Sequence, residues 1–215
     1  MLDQRSLEIY VVTSGRFGRG RDHRWIARAA IDGGATAIQL RAPELDDEEL
    51  LPIARDVAAL CGDADVPFLV NDRVDVALRS GADGVHVGQD TDAARVRELI
   101  GADRILGVSA ADAADALVAE RAGADYLGVT VWSTPTKPDA VPRGLEGLQN
   151  VVLATSLPVV GIGGIFASNA RLVLEAGAAG IAVVSAVAAA GDPVSATREL
   201  VEVVARFRAH PGVAG

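Results

Sequence analysis

A short phrase returns along this chain: Gly81-Ala82-Asp83-Gly84, Gly123-Ala124-Asp125-Tyr126 and Gly177-Ala178-Ala179-Gly180, with Gly33-Gly34-Ala35 as a looser copy. Each copy stands between the end of a helical pattern and the start of an apolar, β-rich run. Glycine at that place closes a helix in the left-handed conformation, so the phrase marks a repeating helix-to-strand joint. Between and around the joints the pattern predicts eight strands: Glu8–Thr13, Ala37–Arg41, Pro67–Val70, Gly84–Val87, Ile105–Val108, Tyr126–Val131, Pro158–Ile162 and Gly180–Val184. Eight helices alternate with them: Arg24–Ile31, Asp46 to about Cys61, Val74–Ser80, Thr91–Ile100, Ala111–Ala122, Gly144–Thr155, Ser168–Ala176 and Pro193–Phe207.

Most of the strands are continuous apolar runs, the pattern of strands covered on both faces. Repeated βα units in a chain of 215 residues predict one α/β domain, a (β/α)8 TIM barrel over residues 1–209, with a frayed tail over 210–215. A doubly wound open sheet is the alternative, but no Gly-x-Gly-x-x-Gly follows the first strand.

Charge narrows the partners. The net charge is −9 and the pI about 4.8, which argues against nucleic acid or an anionic membrane. Small molecules are the expected partners, and an anionic one requires cations gathered locally. The composition is compatible with a homo-oligomer. Cys61 is the sole cysteine, so no intrachain disulfide forms, and its apolar setting predicts a helix end and no nucleophile. Met1-Leu2-Asp3-Gln4-Arg5 does not read as a signal peptide, and a cytoplasmic protein is expected.

In a barrel the chemistry lies at the carboxyl ends of the strands. Those ends hold Thr13, Gln39 and Arg41, Asn71 and Asp72, His86 to Asp90, Ser109, Thr130 to Lys137, Gly161 to Ile165, and Val184-Ser185. Lys137 is the only lysine against nineteen arginines. An ammonium is a compact point charge and a guanidinium a planar fork, so one retained lysine suggests that the point charge matters. With Thr134 and Thr136 beside it, and Pro135 and Pro138 stiffening the loop, it reads as a phosphate-binding set; taken alone, it reads better as a surface loop with one leftover lysine. Gly161-Ile162-Gly163-Gly164-Ile165 and Val184-Ser185-Ala186 follow strands seven and eight, where barrels bind phosphate through open backbone N–H groups. Asp72 and Asp90 end neighbouring strands. They read as a Mg²⁺ pair, or as a helix cap and a turn. His86 reads as a barrel or interface residue and not as a base. Gln39 and Asn71 read as ligand contacts or as satisfied barrel amides.

Taken together, Asn71-Asp72-Arg73-Val74-Asp75-Val76-Ala77, Gly81 through Asp90, Thr134-Pro135-Thr136-Lys137, Gly161 through Ile165 and Val183-Val184-Ser185-Ala186 resemble the thiamine-phosphate synthase family, in the family's order and over nearly the whole chain. The resemblance implies that hydroxymethylpyrimidine diphosphate and thiazole phosphate join to give thiamine phosphate and pyrophosphate. It implies that pyrophosphate leaves first and that the thiazole nitrogen captures a pyrimidine carbocation. It further implies that Asp72 and Asp90 bind Mg²⁺. Gln39, Arg41, Asn71, Ser109 and Lys137 would hold the pyrimidine diphosphate, with Lys137 and Ser109 as the catalytic residues. Thr134, Thr136, Gly164, Val184 and Ser185 would hold the thiazole phosphate.

The chain departs from the family pattern twice. Pro43 stands where the family carries a lysine, two residues after the strand-two arginine, and Gly128 through Ser133 lacks the family's Gly-Pro pair and is one residue shorter. The related thiazole tautomerase and a weakly active or non-catalytic phosphate-binding barrel are the alternatives. One of Arg16, Arg19 or Arg21, in the glycine-rich first loop, is expected to reach the diphosphate when substrate binds and so to compensate for the missing lysine; the loop reads equally as a mobile solvated one.

Overall fold

Eight apolar runs of four or five residues expose too much backbone and side chain to be hidden by one layer of packing. In the computed structural model, which describes residues 4–210, they close on themselves. The strands β1 (Ile9–Val12), β2 (Ala37–Leu40), β3 (Phe68–Asn71), β4 (Gly84–Val87), β5 (Ile105–Ser109), β6 (Tyr126–Thr130), β7 (Val159–Ile162) and β8 (Gly180–Val183) form a closed barrel in chain order. All pairs are parallel, and Ile9 of β1 pairs with Ile181 of β8. The helices α1 (His23–Asp32), α2 (Asp47–Asp63), α3 (Val74–Ser80), α4 (Ala93–Ile100), α5 (Ala113–Arg121), α6 (Gly144–Ala154), α7 (Ala170–Glu175) and α9 (Pro193–Ala209) alternate with the strands. The expected (β/α)8 barrel is the observed architecture. The segment expected as a tail lies outside the described residues beyond His210.

One helix was not expected. The four-residue α8 (Ser185–Ala188) follows β8 directly, so the described residues hold nine α-helices, besides a 3-10 helix over Gln4–Leu7. One turn of Ser-Ala-Val-Ala is too short to show a 3.6-residue period. The helix expected from Thr91 begins at Ala93, because the Asp92 carboxylate caps it by accepting from the Arg95 N–H. Aspartates also cap α1 (Asp22), α5 (Asp112) and α9 (Asp192), and Asp46 with Glu49 forms a full capping box on α2. Part of the acidic surplus is therefore used in starting helices.

The repeated joint has a second function beyond helix closure. Gly34, Gly81, Gly123 and Gly177 have φ of 96°, 80°, 85° and 96°, the left-handed region that L side chains resist. The aspartate two residues after the glycine then reaches sideways. Asp83 accepts from the Phe68 N–H at 2.8 Å and Asp125 from the Leu106 N–H at 2.7 Å. In the looser copy, Thr36 accepts from the Ile9 N–H at 2.9 Å. Each side chain thus satisfies a donor at the open start of the preceding strand, a group that would otherwise stay unpaired at the barrel floor.

Two layers of core result. Outward-facing strand residues such as Ile38, Leu40, Val70, Val85, Leu106 and Val129 pack against the helices. Inward-facing Leu7, Tyr10, Ala37, Leu69, Tyr126, Val160 and Ala182 fill the barrel. Two tyrosines fit there because glycine gives them room: a Cβ on Gly107 would lie 2.2 Å from the Tyr126 ring. Cys61 is buried in α2, its thiol pushed up to about 12 by burial, which leaves no thiolate at neutral pH.

Candidate functional site

Side chains alternate along a strand, so each strand that sends one residue into the barrel sends the next inward residue two positions nearer the carboxyl end. The inward rows are Tyr10–Val12, Gln39–Arg41, Leu69–Asn71, Gly84–His86, Gly107–Ser109, Tyr126–Gly128–Thr130, Val160–Ile162 and Ala182–Val184. All of these but Leu69, Gly84 and Gly107 line a cavity at the carboxyl ends of the strands, together with Thr134, Thr136, Lys137 and Ala140 from the loop after β6 and Gly163 after β7. Eight of the expected site residues meet there: Gln39, Arg41, Asn71, Ser109, Thr134, Thr136, Lys137 and Val184. Gly164 and Ser185 line a smaller recess beside it, which shares Thr134, Thr136, Gly163, Ala182 and Val184 with the main cavity.

The loop that bears Lys137 is a closed excursion. It leaves after β6 and returns where the Arg143 N–H donates to the Thr130 carbonyl (2.8 Å) and the Gly144 N–H to the Val131 carbonyl (2.9 Å). Within it, the Thr134 and Thr136 hydroxyls are 2.9 Å apart, and the Lys137 N–H donates to the Thr134 carbonyl at 3.3 Å. From across the mouth, Arg41 Nη1 comes within 3.5 Å of the Thr136 carbonyl. Where the family's Gly-Pro pair is missing, Trp132 seats the loop on the turn after β7. Gly163 and Gly164 have φ of 92° and 63°, and a Cβ on Gly163 would meet the Trp132 carbonyl oxygen at 2.6 Å. The same turn is braced by Asn169, which donates to the Gly164 carbonyl (2.9 Å) and accepts from the Phe166 N–H (2.8 Å).

A hydrogen-bonded chain runs along the cavity floor, which its members line. Gln39 Nε2 donates to the Tyr10 hydroxyl at 2.7 Å, which is 2.9 Å from the Tyr126 hydroxyl. That hydroxyl is 2.9 Å from His86 Nδ1, and His86 Nε2 is 3.1 Å from Ser109 Oγ. Gly128 makes room for the imidazole, since a Cβ there would lie 3.1 Å from His86 Cε1. Burial, reinforced by the Lys137 charge, pushes His86 down to about 4, so its ring is neutral at physiological pH. Burial also pushes Tyr10 up to about 12, and Tyr126 well above its ordinary value. Tyr10 and Tyr126 were not among the expected site residues, and His86 was expected as a barrel or interface residue. It faces into the barrel and is also part of the cavity wall.

Asp72 and Asp90 line neither recess. Asp72 is not the cap of α3: the helix starts after Arg73, and no side chain caps it. It instead has φ of 60°, with its N–H donated to the His86 carbonyl (2.8 Å) and its carboxylate accepting from Asn71 Nδ2 (2.5 Å). Asp90 is exposed in the turn closed by the Thr91 N–H on the Gly88 carbonyl. No group of three or more His, Cys, Asp or Glu among the described residues makes a cation cage. Two carboxylates on adjacent loops, with no nitrogen or sulfur ligand, match an ion that takes its remaining ligands from water and phosphate, as Mg²⁺ does.

The first loop does not turn toward the cavity. Arg21 donates to the Ala190 (2.7 Å) and Gly191 (2.8 Å) carbonyls and lies over the Trp25 ring, while Arg19 Nη1 comes within 3.5 Å of the Ala189 carbonyl. Arg16 lies over Phe17, and none of the three lines either of the two recesses at the strand ends. Thr13 is also turned away, bonded at 2.8 Å to His23 Nδ1, whose other nitrogen is 3.7 Å from Glu44. In the ligand-free structure Arg19 and Arg21 are thus engaged by carbonyls just after α8. Pro43 is exposed, and Pro43→Lys is expected to lower the KM of a diphosphate ligand by about tenfold, the worth of one charge-assisted hydrogen bond. Steady-state kinetics at fixed Mg²⁺ checks this; an unchanged KM would mean the cavity does not use that position. No helix of the described residues is long and apolar enough to cross a membrane.

A family model described as thiamine monophosphate synthase matches residues 9–187. The thiamine-phosphate synthase of Chloroflexus aurantiacus is 51% identical over 195 residues, 89% of this chain and 90% of that protein. That of Moorella thermoacetica is 48% identical over 204 residues, 94% of this chain and 97% of its own. Among solved structures, a thiamine phosphate pyrophosphorylase from Pyrococcus furiosus superimposes with a TM-score of 0.87 at 42% identity, covering 94% of this chain and 98% of that one.

Proposed function

The chain belongs to the thiamine monophosphate synthase family, and on that premise we propose how its two recesses join two phosphorylated substrates. It is a transferase that makes thiamine phosphate. The supporting observation is that two recesses open side by side at the carboxyl ends of the strands and share Thr134, Thr136 and Gly163 as a common wall. One ligand in each would bring two reacting atoms together without a further domain.

The larger recess takes the pyrimidine diphosphate. Gln39 and Ser109 contact the ring, and Arg41, Asn71 and Lys137 contact the diphosphate. The smaller takes the thiazole phosphate on the Gly163-Gly164 turn and at Ser185, which opens α8; the loops after β7 and β8 with a short extra helix are the usual phosphate site of such barrels. In the reaction the bond from the pyrimidine's methylene carbon to the diphosphate oxygen breaks, and pyrophosphate leaves with the electron pair. The thiazole nitrogen then donates its lone pair to that carbon. No proton needs to be removed, which agrees with a site that holds no free general base. His86 is neutral and committed through both nitrogens. Its neutrality has a further use, since an imidazolium beside a developing carbocation would oppose it.

Lys137 and Arg41 would balance the charge that accumulates on the leaving group. Asp72 and Asp90 would hold Mg²⁺, which supplies charge neutralisation to the diphosphate oxygens when bound. The enzyme is proposed to act in the cytoplasm on small molecules alone. A thiazole tautomerase would need a base free to move a proton, and the bonding of His86 does not favour that reading. The test is an assay with both substrates and Mg²⁺, following thiamine phosphate and pyrophosphate. Stoichiometric release of both is expected only when both substrates are present. Pyrophosphate without thiamine phosphate, or neither product, would overturn the reading.

A further inference from the structure

The hydrogen-bonded chain along the cavity floor has a direction. Tyr10 is buried and its oxygen receives the Gln39 amide hydrogen. The acceptor open to its own proton is the Tyr126 oxygen, 2.9 Å away. Tyr126 is fully buried. With its oxygen taken by Tyr10, its proton goes to His86 Nδ1 at 2.9 Å. A neutral imidazole that accepts at Nδ1 carries its hydrogen on Nε2. That hydrogen points at Ser109 Oγ, 3.1 Å away. The Ser109 hydroxyl thus receives a bond from below, and its own proton is left for the cavity it lines. At the other end, Gln39 has spent an amide hydrogen on Tyr10, and its carbonyl oxygen has no protein partner among the described residues. No buried side-chain polar atom among them lacks a partner, so this oxygen is open to the cavity as an acceptor.

We propose that Tyr10, Tyr126 and His86 are positioning residues, a one-way hydrogen-bond relay that presents Gln39 as an acceptor and Ser109 as a donor to the ring of the pyrimidine substrate. The proposal rests on the function given above and deepens it. The ring that fits offers an N–H to Gln39 and a bare ring nitrogen to Ser109. A ring with the opposite pattern faces carbonyl against lone pair at one end and hydroxyl against N–H at the other. Mismatched polar groups in a closed site cost more than the bonds they replace, which is how such a pocket discriminates. The three relay residues help to line the cavity floor, and their positioning role is exerted through Gln39 and Ser109.

The tautomer can be read without any substrate, so its failure is separable from failure of the function. In ¹⁵N-labelled ligand-free protein, the ring of His86, identified by loss of its signals in His86→Gln, is expected to show a protonated Nε2 and a bare Nδ1 at neutral pH. A protonated Nδ1, a charged ring or an even mixture of tautomers in the wild type would overturn the relay. Tyr126→Phe removes the donor to Nδ1. In that variant the tautomers are expected to mix, and kcat/KM for the pyrimidine diphosphate to fall about tenfold, while the KM of the thiazole phosphate stays within about twofold. His86→Gln, whose amide can accept from Tyr126 and donate to Ser109, should keep more of the pyrimidine kcat/KM than His86→Leu by about tenfold. Equal loss in the two His86 variants, or a Tyr126→Phe enzyme with wild-type tautomer and kinetics, would reduce the three residues to packing. If Tyr126→Phe does not fold, the wild-type tautomer alone decides.

Discussion

Lys137→Ala is expected to lower kcat by about 10²–10³-fold, the loss typical when one donor aimed at developing transition-state charge is removed. Folding should hardly change. The side chain is exposed, and its loop is held by other means: the paired Thr134 and Thr136 hydroxyls and the return bonds at Arg143 and Gly144. Exposed substitutions away from such anchors usually move stability by less than about 0.5 kcal/mol. Arginine should not rescue. A guanidinium is a wide planar fork, while an ammonium can converge on oxygens of both leaving phosphates from one point. Lys137→Arg is therefore expected to stay at least about tenfold below wild type. A second readout is independent of catalysis. The Lys137 charge helps to hold His86 low, second to burial, so in Lys137→Ala the His86 pKa should rise while staying below the ordinary histidine range. Rapid-quench kinetics and an NMR titration of His86 check the two arms. A Lys137→Ala enzyme with wild-type kcat would remove the lysine from the chemistry.

Sequence and structure agree most closely where local chemistry dictates the outcome. The Gly-Ala-Asp joints predict helix ends and strand starts because a left-handed glycine has few other uses, and Gly81, Gly123 and Gly177 all adopt that conformation. The cap at Asp46 is legible for the same reason. Residues at strand tips, such as Gln39, Arg41, Asn71 and Ser109, could be found by knowing only where each strand stops. Tyr10 and Tyr126 required one further step. They share the inward parity of known tip residues: Tyr10 lies two before Val12, and Tyr126 lies two before Gly128 and four before Thr130. Aromatic side chains in apolar strands look like ordinary core until that parity is counted. Small partners on neighbouring strands, Gly107 and Gly128, were the other available signal, since each vacates the space a tyrosine or histidine occupies. The arginines of the first loop are a different case. Glycine content says that a loop can bend, but not toward which surface. Here the carbonyls of Ala190 and Gly191, at the end of the short α8 that the sequence did not reveal, take Arg21.

The last expected result concerns Asp72 and separates its backbone role from its charge. Asp72 holds φ of 60° without being glycine. That conformation is uncommon for an L residue, though aspartate and asparagine tolerate it better than most. Such a residue kept in strain beside a cavity is a reason to suspect function, and the proposed function for this one is to hold Mg²⁺ with Asp90. Asp72→Asn keeps the shape, the tolerance of positive φ and an oxygen that can accept from Asn71, but loses the charge. It should fold with a urea midpoint near wild type, lose activity by roughly 10²-fold, and need at least about tenfold more Mg²⁺ for half-saturation. Asp72→Gly relieves the strain, so it should be no less stable than wild type yet equally inactive. Asp72→Ala keeps a Cβ in the left-handed region and should lose about 1–2 kcal/mol of stability in addition. If the residue were only a turn former, activity would follow stability across the three variants, and glycine would restore it. The expected pattern is the reverse: stability ordered Gly, Asn, Ala, with activity low in all three. Asp90→Asn, in an exposed turn, should raise the Mg²⁺ requirement with no change in stability. An unchanged Mg²⁺ titration in both Asp72→Asn and Asp90→Asn would remove the ion from these loops.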